Sequence, residues 1–200
     1  MLLEKPKRER GYKKERIIRV LLNYDGEEIT KYRVAKLANV SEPWCREYTE
    51  RLESKGILQD TKILKVKGLY EEWKKIRIGP NFLSVSLQNP TQIIQDTNLD
   101  YALTTDQGEN IIQGMLFPSV TDFYIKGNEI EDWLDLIKEH GVLGGGNTRV
   151  RATDEHVFFN HQKIEKFNIV STPQLIIDLL EEGGPSEEAG AHLLERFHGD

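Results

Sequence analysis

Tyr32-Arg33-Val34-Ala35-Lys36-Leu37-Ala38, followed by Val40-Ser41 and then by Leu52-Glu53-Ser54-Lys55-Gly56-Ile57-Leu58, decides how the first part of this chain folds. Thr30 stands where an N-cap is wanted, and Tyr32, Val34, Ala35 and Leu37 give the next residues a helical stripe that ends at Asn39-Val40. Ser41 caps a third helix running through Lys55, with Pro43 tolerated in its first turn. Gly56 ends that helix where a left-handed residue is usually needed. Upstream, Ile17, Ile18, Val20, Leu21 and Leu22 predict a first helix from Glu15 that stops at Asn23–Gly26, with Glu28-Ile29 extended beyond it. Downstream, residues 57–66 have mixed β character and fit a short strand pair. Helical spacing returns over residues 68–76 through Leu69, Trp73 and Ile76.

Three helices, a tight turn between the second and third, and a basic β-rich stretch spell a winged helix-turn-helix. In this the sequence resembles the general winged-helix regulators of bacteria and archaea. Cys45, Thr49 and Leu52 fall on the buried stripe of the third helix. The face one residue earlier carries Trp44, Tyr48 and Arg51, flanked by Arg46 and Glu47. An exposed stripe of that kind reaches base edges or presses on sugar and phosphate; the same two aromatics also suit a core or a dimer contact. Lys31, Arg33 and Lys36 on the second helix, and Lys62, Lys65 and Lys67 near the wing, are the phosphate candidates.

Charge divides the chain. Residues 1–79 hold 20 Lys and Arg against 13 Asp and Glu, a balance of +7, whereas residues 80–200 stand at −13, giving the total of −6. A basic segment beside an acidic one is expected when one part meets a polyanion and the other does not. The basic part begins as an arm bearing Lys5, Lys7, Arg8, Arg10, Lys13, Lys14 and Arg16. No apolar run approaches the roughly 20 residues of a membrane span, and the charged N-terminus lacks the apolar stretch of a signal peptide. The single cysteine, Cys45, excludes an intrachain disulfide framework and a multi-cysteine zinc site. A soluble, cytoplasmic protein is the expectation.

Pro80-Asn81 marks a boundary between a domain at 1–79 and an acidic one at 80–200. The second reads as helices at 90–94, 106–116, 129–139, 173–180 and 187–197. Between them come strands at 101–104, at 120–125 with alternating burial, and at 148–152, 156–159 and 167–170, an α+β arrangement overall. Gly144-Gly145-Gly146-Asn147 has no Lys-Ser/Thr and precedes a strand, so it reads as a turn rather than a phosphate loop. The five histidines form no metal set, and no Gly-x-Ser-x-Gly is present. We expect no cofactor, no metal and no catalytic residue. The helix at 106–116 and the strand bearing Asp122 resemble the opening of a nucleotidyltransferase domain. Such a domain needs two carboxylates two apart on one strand to clamp metal ions. Here Thr121-Asp122-Phe123-Tyr124 puts a tyrosine in the second place, so a related fold would be degenerate and inactive.

The C-terminal third carries His156-Val157-Phe158-Phe159, then Val170-Ser171-x-x-Gln174-Leu175-x-x-Asp178-Leu179-Leu180, then Gly183-Gly184 and Glu187-Glu188-Ala189. Together with Tyr101-Ala102-Leu103-Thr104 and the winged helix, this resembles the AbiEi family of antitoxins from type IV toxin–antitoxin pairs. The resemblance runs from about residue 12 to 197, and departs at Gly184-Pro185-Ser186, where the family often has Arg-Gly. It implies a repressor that binds inverted repeats upstream of its own operon and whose second domain counteracts a toxin; an inverted repeat in turn calls for two copies, a homodimer preassembled or formed on DNA. The residues by themselves place Ser171 as a helix cap, and put Gln174 and Asp178 on one helical face, tied by hydrogen bonds to the sheet. Two other readings stay open: a nucleotidyltransferase-like enzyme, and an interaction module whose acidic domain meets a basic partner.

Overall fold

In the computed structural model, which describes residues 3–7 and 9–199, the chain divides into two compact units. One runs from the first helix to Ile78 and takes in the last turns from Leu194. The other runs Gly79–Leu193 and takes in Leu3–Lys7. A single cut at residue 79 therefore misplaces both ends of the chain. Leu3 is buried in the core of the second unit, and Asn81 donates to the Glu4 carbonyl at 2.7 Å. Lys5 and Lys7 of the basic arm consequently belong with the acidic unit. Arg8 lies outside the described residues.

The first unit contains α1 (Glu9–Asn23), α2 (Lys31–Leu37), α3 (Glu42–Ser54), a hairpin of β1 (Leu58–Gln59) and β2 (Lys62–Ile63), and α4 (Val66–Ile76). Helix α1 starts six residues before the expected Glu15. Glu28-Ile29 pairs with nothing as a strand; the Ile29 carbonyl instead accepts from the Thr61 hydroxyl at 2.5 Å. Thr30 caps α2 by accepting from the Arg33 amide at 3.2 Å. Ser41 occupies the cap position of α3 without a side-chain bond, and Gly56 has φ +66°. Ile17, Ile18, Leu21, Val34, Cys45, Leu52, Leu69 and Trp73 fill the core. Burial holds the Cys45 thiol up at about 11, so it is a neutral thiol at ordinary pH. Glu15, also buried, accepts from the Trp73 indole at 3.0 Å and the Ile78 amide at 2.8 Å. The last turn of the chain completes this unit. The imidazole of His198, 3 % exposed, bonds Asp25 through Nδ1 at 2.6 Å and the Tyr70 hydroxyl through Nε2 at 3.1 Å.

The second unit is a mixed α+β layer structure. Its strands are β3 (Asn81–Leu87), β4 (Tyr101–Leu103), β5 (Thr121–Ile125), β6 (Gly141–Leu143), β7 (Thr148–Ala152), β8 (Gln162–Ile164) and β9 (Phe167–Ile169). They form one sheet in the order β6-β3-β7-β5-β4-β9-β8. The pairs β5–β7 and β4–β9 are parallel, and the others are antiparallel. Its helices are α5 (Pro90–Asp96), α6 (Thr105–Ile112), α7 (Ile130–His140), α8 (Thr172–Glu182) and α9 (Gly184–His198), the last continuing into the first unit. One sheet face is apolar: Val85, Leu103, Phe123, Ile125, Val150 and Ile169 pack with Ile94, Trp133 and Ile137. The opposite face is polar, and that difference positions the site described below.

Three expectations change here. Strand β5 shows no alternation, because it is central and every one of its residues is buried. Residues 156–159 are no strand; a 3-10 turn spans Glu155–Phe158, opened by Asp154 accepting from the His156 amide at 3.0 Å. Helix α6 stops at Ile112 rather than 116, because Glu109 is withdrawn into the interior, where its carboxylate accepts from the Met115 and Leu116 amides. Strands β3, β6 and β8 carry no expectation from the sequence.

Candidate functional site

The cations proposed for phosphate separate into three groups. Arg33 and Lys36 on α2, with Lys62 and Lys65 at the hairpin, are exposed and have no acidic partner among the described residues. Arg46 and Arg51 are exposed but paired within α3, Arg46 to Glu42 at 3.0 Å and Arg51 to Glu47. Such exposed pairs are worth about 0.3–0.5 kcal/mol, so a phosphate or a guanine edge displaces the carboxylate at little cost. Lys67 reaches Glu195 at 3.4 Å. Lys31 is a different case. Its side chain is 14 % exposed and lies between Glu53 at 2.8 Å and Asp60 at 3.3 Å. Burial works against its charge, but the two carboxylates outweigh it and raise the pKa. Lys31 ties α2 to α3 and the hairpin turn, and is no surface cation.

The aromatic stripe on α3 is corrected in the same way. Tyr48 is 7 % exposed, with its ring 5.8 Å from that of Trp44 and the Lys14 ammonium over it at 5.8 Å. Burial pushes its phenol well up. The α3 stripe in contact with the core is one residue wider than Cys45, Thr49 and Leu52 indicate, so Tyr48 is an interior aromatic. Trp44 remains partly exposed.

A groove of about 880 Å³ runs beside these groups. Lys31, Arg46 and Lys62 contribute to its lining, and so do Asp25, Glu27, Glu28, Glu42 and Asp60. Five carboxylates against three cations make this groove a poor channel for a phosphate backbone. Arg33, Lys36 and Lys65 do not line the groove and, with the exposed Lys62, are the better surface.

The second unit holds a polar cluster that sequence reasoning did not find. Strand register puts Phe82 and Ser84 of β3, Arg149 and Arg151 of β7, and Asp122 and Tyr124 of β5 on one sheet face. Asp122 is fully buried. Its Oδ1 accepts from Arg151 Nε at 2.7 Å; its Oδ2 accepts from Arg151 Nη2 at 2.7 Å, Arg149 Nε at 2.7 Å and the Thr105 hydroxyl at 3.0 Å. Glu182 accepts from both arginines, at 2.8 and 2.5 Å. Arg151 loses hydration by burial, yet the acceptors around it hold its pKa well above the ordinary value. For Glu182 burial acts upward, and the arginines outweigh it and lower the pKa. One helical turn earlier on α8, Asp178 accepts from the Thr104 hydroxyl at 2.5 Å, the Tyr124 hydroxyl at 3.0 Å and Gln174 at 2.9 Å. Gln174 and Asp178 do tie α8 to the sheet. Tyr124, in the place of a second carboxylate, serves this network.

Thr105 adds strain, being a β-branched residue at φ +46°. The available signal was Arg149-Val150-Arg151, charges alternating in a strand opposite Asp122-x-Tyr124. Among the described residues no group of three or more His, Cys, Asp or Glu side chains is placed to hold a metal ion, and no helix is long and apolar enough to cross a membrane. No family model matches the chain, no curated protein matches it in sequence, and no solved structure matches it.

Proposed function

We propose that this chain is a sequence-specific DNA-binding regulator of transcription, an autorepressing antitoxin whose first unit is a winged helix-turn-helix. In this reading α2 and α3 are the helix pair and β1–β2 is the wing. The observation that carries it is the set of exposed cations Arg33, Lys36, Lys62 and Lys65, unpaired among the described residues, in a segment with a balance of +7. Arg46 and Arg51, held by Glu42 and Glu47, are the base-reading candidates on α3. An inverted-repeat operator calls for two copies, preassembled or meeting on DNA. The acidic second unit supports a role in meeting a basic partner, the toxin of the pair.

The deciding experiment is titration of the chain with the DNA upstream of its own gene, against scrambled DNA of equal length. A preference of about a thousandfold is expected. Equal, weak binding to both overturns sequence specificity, and no binding at low salt overturns the reading. A nucleotidyltransferase reading has the surroundings of Asp122 against it, since arginines occupy both of its oxygens.

A further inference from the structure

The polar face of the sheet is covered by α6 and α8 over Asp122, Tyr124 and Arg151, and the cover ends short of β3. What is left is a cavity of about 320 Å³, in the size range of small-ligand sites. Its floor holds Phe82, 58 % exposed on a strand, with the Arg149 guanidinium 5.7 Å from the ring centroid. An aromatic ring on a rigid, hydrogen-bonded strand, open on one side, is a stacking platform.

The polar groups around that platform come as a donor and an acceptor. Arg149 spends Nε and Nη2 on Asp122 and Glu182, and its Nη1 has no partner among the described residues. Asp106, at the start of α6, accepts from the Ser186 hydroxyl through Oδ1 at 2.7 Å, and its Oδ2 has no partner among the described residues. Ser84 and Ser119 add hydroxyls that serve either role. Charge then selects among ligands. Asp106, Asp122 and Glu182 face Arg149 and Arg151, so the site stands at −1 before anything binds, within a chain segment at −13. A phosphate chain meets net repulsion there, and so does a nucleic-acid strand.

We propose that this cavity binds a neutral planar heterocycle with adjacent donor and acceptor groups on its edge, a free nucleoside, stacked on Phe82 with its edge between Arg149 and Asp106. The strained backbone at Thr105 fits this, because it sets the first turn of α6, and so Asp106, against the cavity. The site is independent of the DNA reading and stands whether or not that reading does.

The test is calorimetric titration of the full chain with adenosine, guanosine, cytidine and uridine, and with the four corresponding triphosphates. At least one nucleoside is expected to bind with Kd below about 1 mM, and its triphosphate to bind more weakly. Phe82→Ala is expected to weaken that binding at least about tenfold, in keeping with the loss of a stacking contact, with the unfolding midpoint unchanged. Ser119→Trp, at an exposed loop position, obstructs the cavity without touching the platform and is expected to weaken it likewise. The proposal is overturned if no nucleoside binds, if both variants bind as the parent chain does, or if a triphosphate binds more tightly than its nucleoside.

Discussion

Asp122 shows what a single residue carries in this protein. Two arginines and a threonine hydroxyl satisfy its carboxylate in a place that water does not reach. Removing the negative charge leaves Arg151, itself buried, with Glu182 as its remaining carboxylate contact and Asp178 acting on it from farther off. Asp122→Asn is therefore expected to destabilise the chain by about 3–5 kcal/mol, the usual result of breaking a buried pair on one side; urea denaturation measures it. A loss under 1 kcal/mol would mean that the cluster is far better hydrated than its burial indicates. Glu182 makes a pH-dependent contribution with a definite sign. Its folded pKa lies below the ordinary 4.5, so its stabilisation is complete above that value and is lost as the pH falls through the folded pKa. Glu182→Gln should lower stability at neutral pH and flatten the fall in stability below about pH 4.5. Lys55 and Lys75 hold Glu72 low by direct hydrogen bonds, so some acid dependence remains in the variant. Identical acid limbs for the variant and the parent chain would show that the arginine pairs contribute nothing.

Among the elements, the edge strand β6 rests on a backbone approach that only glycine permits. A Cβ at Gly141 would lie 2.2 Å from the Ser86 carbonyl oxygen and 3.1 Å from the Leu87 Cα. Gly141→Ala should detach β6 from β3 at a cost of about 1–3 kcal/mol, seen as faster amide exchange over residues 141–143. Unchanged exchange would mean that β3 gives way instead. The same elements show which features were legible. Helices α1 to α4 follow from periodicity and caps, because each packs one stripe on a local core. Strand β3 was hidden behind Pro80-Asn81, which reads as a break but opens the strand. Strand β5 misled because its sequence reads as alternating burial, whereas α8 brings its own polar stripe onto the second face and buries it too. Tyr48 misled because aromatic side chains are long enough to reach a core from the margin of a stripe. The Asp122 cluster joins contacting residues 27 to 33 apart in sequence on β5, β7 and α8. Strand order, which no local pattern specifies, decides whether they meet.

At the scale of the whole molecule, charge asymmetry dictates how binding responds to salt. If Arg33, Lys36, Lys62 and Lys65 each meet one phosphate, log K should fall against log salt with a slope of roughly −3 to −4 per copy of the chain. Lys62→Glu with Lys65→Glu should reduce that slope by about two and weaken specific and scrambled DNA alike. An unchanged slope would move the phosphate surface away from the hairpin.

The seat of His198 between Asp25 and Tyr70 also bears on the order of events during synthesis. A domain at the start of a chain ordinarily folds while the remainder is still being translated. Here Tyr70 and Asp25 wait for an imidazole made more than a hundred residues later, so the nascent first unit lacks a buried part until residue 198 has left the ribosome. A message cut short by a premature stop thus yields a first unit without its closing residue. Repression, on the reading proposed above, then requires translation through residue 198.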